Sequence, residues 1–234
     1  EVKRHLNEYF YYGGLPEILS FKNKRAMLSS LYQKIYLGDI CARNNIKNDR
    51  VLNILIKKMA ESVKQPLSYN RLKNVIVATG SPISVPTTID YADYAADSWL
   101  ILPMENEIGK LTEKERQKKY YFVDNGLLNL FLMNSETSLL ENMVAVELCR
   151  RYGKKNVFYL NAEKEIDFIV PDEKLAIQVS YSIKDETTYN REVPPLVKYA
   201  KTHEDWKCLL ITYDEEGTEE GMPVVPVWKW LMGV

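Results

Sequence analysis

Glu141 and Asp167 are carboxylates placed so that they could share one cation, and Gln178 and Ser180 follow them in a polar-x-polar pair. Carboxylates of this kind hold Mg²⁺, and a nearby lysine positions or activates the water that attacks a phosphodiester. The elements that must carry them are legible in residues 140–182. Leu140, Val144, Leu148 and Tyr152 recur along one side of a helix. The segments 156–160, 165–170 and 175–180 are β-branched and aromatic, and Pro171-Asp172 separates the last two. Strand alternation puts Glu165, Asp167 and Ile169 on one face, with Ile166, Phe168 and Val170 on the other. In the third strand Gln178 and Ser180 share a face.

A helix acid, a strand acid and a pair on the hairpin partner resemble the PD-(D/E)XK nuclease superfamily, whose pattern is a helix Glu, a strand Asp and then Glu-x-Lys. The resemblance implies Glu141 as the helix acid and Asp167 as the strand acid, the two metal positions. Gln178 then stands where the second acid belongs and Ser180 where the lysine belongs. Gln offers a metal one neutral carbonyl oxygen, and Ser cannot act as an ammonium. The expectation is therefore a nuclease-like scaffold kept for binding or packing. The catalytic alternative needs relocated groups: Lys184 or Arg191 as the cation, and Glu192 as an acid from the next helix.

Composition bounds the rest. With 234 residues and 46% hydrophobic content the chain can bury a sizeable core as one large domain or two small ones. Its 31 basic and 32 acidic residues leave a net charge of −1, so no global field attracts nucleic acid. Cys41, Cys149 and Cys208 are far apart and form no C-x-x-C pair, which points to reduced thiols and a cytoplasmic setting. With only His5 and His203 besides, a zinc site is not expected. No apolar run is long enough for a membrane span. The chain opens at Glu1 in helix-like sequence, as a piece of a longer protein would.

In chain order, residues 3–12 read as a helix end running into Gly13-Gly14-Leu15-Pro16-Glu17, a stop signal. Helices are expected over 24–37 and 49–63. Residues 65–124 have the layout of a winged helix-turn-helix: a helix over 69–78 capped by Ser68, and a second over 89–98 opened by Thr87 or Thr88. A wing of strands 100–104 and 119–123 would follow, joined by a charged loop. The second helix carries Asp90, Asp93 and Asp97 and no cation, so it would be repelled from a DNA groove. Contact with nucleic acid would fall to the wing (Lys110, Lys114, Arg116, Lys118, Lys119) and to the cluster Arg150, Arg151, Lys154, Lys155. The blander alternative is a protein-contact module with a solvated loop. Past Ser182 the sequence reads as a polar run, a helix over 193–201 with Pro194 and Pro195 in its first turn, a strand over 208–213, an acidic loop and a last strand over 224–227. Trp228, Trp230 and Leu231 are expected to close the core's edge.

The fold class expected is α/β (α+β overall): a helical and winged-helix part over 21–134, then a restriction-endonuclease-like mixed sheet flanked by helices over 135–234. The order GGLPE, YLGDI, a winged helix with PLS, KYYFVDNGL, LLEN, EIDFIV and IQVSYS resembles something narrower. It is similar to the uncharacterised region, domain of unknown function 4143, that follows the nucleotide-binding module in a family of prokaryotic AAA-type ATPases. The resemblance covers nearly the whole chain. It implies that residues 1–20 are the tail of the ATPase lid, that the chain's first partner is its own N-terminal ATPase module, and that ATP is bound there. This chain carries no phosphate loop: Gly109-Lys110 and Gly153-Lys154 lack the preceding Gly and the following Ser or Thr. No cofactor is expected in this stretch apart from Mg²⁺ in the catalytic alternative. Three functions are thus carried forward: a non-catalytic regulatory or partner-binding region, an atypical magnesium-dependent DNA nuclease, and a DNA-binding module without cleavage.

Overall fold

The computed structural model describes residues 2–162 and 165–233. Glu1, where the expected lid tail opens, and Val234, where the expected second part closes, lie outside the described residues. The first half is helical: α1 (Val2–Tyr12), α2 (Pro16–Leu19), α3 (Lys24–Lys34) and α4 (Asp49–Glu61). The helix expected over 24–37 does not stop. From Ile35 to Ala42 it continues with π-type bonding, through Gly38 and Asp39. Next come β1 (Leu67–Ser68), α5 (Tyr69–Ala78), α6 (Val85–Asp97), β2 (Ile101–Met104), α7 (Leu111–Arg116) and β3 (Gln117–Phe122). Ser68 caps α5 by accepting from Arg71 N at 3.2 Å, as expected. The next helix begins at Val85 rather than near Thr87, because Ser84 caps it and Pro86 fits its first turn. The strands form an antiparallel sheet ordered β1-β3-β2. The charged loop between β2 and β3 contains α7, and β3 starts at Gln117, not Lys119.

The second half opens with α8 (Asn125–Asn129) and α9 (Glu136–Tyr152). It continues through β4 (Phe158–Asn161), β5 (Glu165–Val170), β6 (Leu175–Ser180), α10 (Glu186–Thr202), β7 (Lys207–Thr212), β8 (Gly217–Glu219), β9 (Met222–Pro226) and α11 (Val227–Met232). The sheet order is β4-β5-β6-β7-β9-β8, with β6, β7 and β9 parallel and the outer pairs antiparallel. The fold is α/β with a mixed sheet. The helix expected over 193–201 runs from Glu186. Asp185 caps it, accepting from Thr188 N at 2.8 Å, and Pro194 and Pro195 lie in its interior. Two prolines remove two helical hydrogen bonds, and the helix persists because Val193, Leu196 and Val197 are buried against the sheet.

One apolar core runs from Leu6 to Val227 and includes residues of both halves. Trp228, Trp230 and Leu231 pack against it half-buried from α11, where a strand end was expected. A smaller cluster fills the space under α10. No helix among the described residues is long and apolar enough to cross a membrane.

Candidate active site: a carboxylate pocket with a buried lysine

The site begins with a fault in the sheet. Phe158 pairs with Ile169 and Leu160 with Ile166, so β5 carries one residue more than β4 over that step. A bulge of this kind turns consecutive side chains to the same side. Ile169, expected beside Glu165 and Asp167, instead joins Ile166 in the cluster under α10. Asp167 and Phe168 both turn toward β3 and α9, where Phe168 meets Tyr121 with ring centroids 5.5 Å apart.

The β5–β6 ladder also ends there. Its last regular pair is Phe168 with Ile177. Beyond it, side chains take over the backbone bonds: Asp167 N donates to Gln178 Oε1 at 3.3 Å, and Val179 N donates to Asp167 Oδ2 at 2.9 Å. The parted strands open a cavity of about 410 Å³ between α9 and α10. Glu141, Glu165, Asp167, Gln178, Ser180, Arg191 and Glu192 all line it. Glu141, Asp167, Gln178 and Ser180, expected as a set, are thus brought together.

Behind the acids that line it lies a lysine expected elsewhere. Lys119 was expected on an exposed wing; its side chain is fully buried. Its Nζ stands 3.1 Å from Glu141 Oε1, 2.7 Å from Glu165 Oε1 and 3.4 Å from Asp167 Oδ1. Tyr121, two residues on along the same face of β3, donates its hydroxyl to Glu141 Oε1 at 2.8 Å. The signal was present in the strand itself: alternation pairs Lys119 with Tyr121 on one face, in a segment too apolar to be a solvated loop.

The mouth is built from α10. Gln178 Nε2 donates to Glu192 Oε2 at 2.5 Å, and Arg191 Nε donates to Glu192 Oε1 at 2.7 Å. Glu192 and Arg191 therefore reach the cavity as the relocation alternative required. Lys184 does not: it is exposed and lies outside the lining. Ser180 turns its hydroxyl to the turn that follows β6, donating to Ser182 O at 2.9 Å.

Burial, together with the neighbouring Glu141 carboxylate, raises the Asp167 carboxyl well above its usual range, against the pull of Lys119. Burial alone would lower Lys119, but Glu141, Tyr121, Asp167 and Glu165 outweigh it and keep the ammonium charged.

A divalent cation between Glu141 and Asp167, the metal positions of the nuclease pattern, does not fit this arrangement. The Lys119 ammonium lies between the two carboxylates. Tyr121 donates to the same Glu141 oxygen, and Asp167 Oδ2 is engaged by Val179 N. No group of three or more His, Cys, Asp or Glu side chains among the described residues is arranged to hold a metal.

Of the eight remaining cations expected to meet nucleic acid, four are engaged. Lys118 pairs with Glu105 and Glu115, and Lys114 donates to Glu107 O at 2.7 Å. Arg150 and Arg151 both bind Glu147, and Arg151 also reaches the carbonyls of Trp230 and Leu231. Lys110, Arg116, Lys154 and Lys155 are exposed.

A family profile described as a domain of unknown function, DUF8612, matches residues 3–138. The chain belongs to that family. It is 30% identical to an uncharacterized protein of Methanocaldococcus jannaschii, over 98% of this chain and 56% of that protein. An uncharacterized protein of Haemophilus influenzae is also 30% identical, over 99% of this chain and 58% of its own length. The chain thus spans little more than half of the curated relatives it matches. No solved structure matches. The match to DUF8612 ends between the lysine and the acids: it includes Lys119 and stops short of Glu141.

Proposed function

We propose that the chain is a non-catalytic regulatory or partner-binding region of a longer prokaryotic AAA-type ATPase, in the cytoplasm, belonging with the region described above as domain of unknown function 4143. Its order of helices and antiparallel strands over 65–124 serves as a winged helix, and its mixed sheet is a nuclease-like frame without the chemistry. One observation carries this: the Lys119 ammonium stands between Glu141 and Asp167, where a nuclease would hold Mg²⁺. The buried ammonium and the Tyr121 hydroxyl occupy the facing oxygens of these two acids, where a shared metal would have to bind. Calorimetric titration with Mg²⁺ and Mn²⁺, run beside a plasmid-nicking assay, tests it. Neither metal binding nor nicking is expected; nicking that requires the metal and vanishes in Asp167→Ala would overturn it.

The second reading, an atypical magnesium-dependent nuclease, draws on Glu192. The acid absent from β6 stands on α10, hydrogen-bonded to Gln178, and the ammonium absent from β6 stands on β3. In that case Glu192→Gln removes nicking as completely as Asp167→Ala. A third, duplex binding through the hairpin of β2 and β3, has less to draw on, because Lys114, Lys118 and Lys119 are already engaged.

A further inference from the structure

Helix α6 ends in a way that its sequence does not favour. Leu100 N donates to Ala95 O at 3.0 Å and Trp99 N to Ala96 O at 3.1 Å, the paired bonds of a Schellman cap. Such a cap needs a left-handed residue, usually Gly, at the position that Trp99 occupies here with φ 54°. A bulky side chain at positive φ is strained, and no packing offsets it: Trp99 is 67% exposed. Leu100 and Ala95 are buried and secure the turn, so the fold itself has no use for the indole.

The ring nonetheless has a defined neighbour. Lys154 Nζ, from the turn that follows α9, lies 5.3 Å from its centroid. Lys155 is exposed in the same turn, which Gly153 opens at φ 86°. An exposed indole with the Lys154 ammonium against its ring, and a second exposed lysine next to it in the same turn, suits a ligand that is flat and aromatic at one point and anionic next to it. A nucleobase with its flanking phosphates has that form. Asp97 lies two residues before Trp99 and is exposed, so the attraction comes from the α9 turn and not from α6.

We propose that Trp99, Lys154 and Lys155 form a binding site for single-stranded nucleic acid, with a base stacked on the indole and phosphates on the lysines. The site is separate from the carboxylate pocket, and it does not depend on whether that pocket is catalytic.

The test uses the full chain and a short fluorescein-labelled oligo(dT), with the matching duplex and an acidic, tyrosine-containing peptide as competitors. Oligo(dT) should bind and quench tryptophan fluorescence. Trp99→Gly should raise the urea midpoint, because it places the favoured residue in the cap, and should weaken binding roughly ten-fold or more. Trp99→Phe should keep most of the affinity. Lys154→Gln with Lys155→Gln should flatten the dependence of log affinity on log salt by about 0.7 for each phosphate that no longer meets an ammonium. Absence of oligo(dT) binding overturns the proposal, as does binding that survives Trp99→Gly. So do preferential competition by the peptide or duplex, and a Trp99→Gly protein that is less stable than the parent.

Discussion

Lys119 is fully enclosed, with acids on several sides, and its removal should be costly in a way that an exposed lysine's is not. Truncating one partner of a buried ion pair leaves the others uncompensated, at about 3–5 kcal/mol. Lys119→Met should therefore lower the unfolding free energy in urea by about that amount. Pairing it with Glu141→Gln should recover part of the loss, since the two changes remove opposite charges from one place. Asp167 gives a pH signature. Its carboxyl is raised in the folded chain, so the folded state holds a proton that the unfolded state releases at the ordinary carboxylate range. Stability from this group thus falls as pH rises from the unfolded value toward the folded one. Urea midpoints measured from pH 4 upward should show that decline, and Asp167→Asn should flatten it. At this scale Glu141 and Asp167 were legible, because one helix and one strand place them. Lys119 was legible only as a strand position sharing a face with Tyr121; its burial was not, because the acids that hold it come from α9 and β5.

Elements were legible where burial and capping agree with local propensity. The strands β5 and β6 fall where alternation placed them, and α5 begins at its Ser68 cap. They were illegible where packing overrides propensity. Pro194 and Pro195 signal a helix start, yet α10 continues through them on its buried face. The bulge in β5 has no sequence mark, and it moved Ile169 to the opposite side. Helix α1 is held by close approach and by amide side chains. Asn125 Nδ2 donates to Phe10 O at 3.0 Å and to Leu139 O at 2.9 Å, and Asn129 Nδ2 donates to Tyr11 O at 3.0 Å. A Cβ at Gly126 would collide with the Tyr12 carbonyl. Gly126→Ala should therefore cost about 1–3 kcal/mol as an overpacking change. Amide exchange should rise across residues 2–12 before it rises in β6. Unchanged protection in α1 would mean that the helix is held by its apolar face alone.

The molecule as a whole is expected to unfold as one unit. Its main core spans both halves, and Asn142 on α9 clamps β3 by accepting from Phe122 N at 2.7 Å and donating to Phe122 O at 3.0 Å. Fluorescence, weighted toward Trp206, Trp228 and Trp230, and far-ultraviolet dichroism, weighted toward the helices, should give coincident urea transitions. Separate midpoints would show that the halves part first. The α/β class was legible from the order of elements, whereas the interlocking of the halves was not, because it depends on a lysine and an asparagine whose partners lie about twenty residues away or more. The meeting of Lys119 with Glu141 and Asp167 also has a hereditary consequence. A chimaera joined near residue 138, with its first segment from this chain and its second from a 30% identical relative, would draw an ammonium from one parent and its counter-charges from the other. Such a graft should fold only when both parents carry matching polarity at these places, so a crossover moved upstream of Lys119 should rescue failures that a crossover at 138 produces.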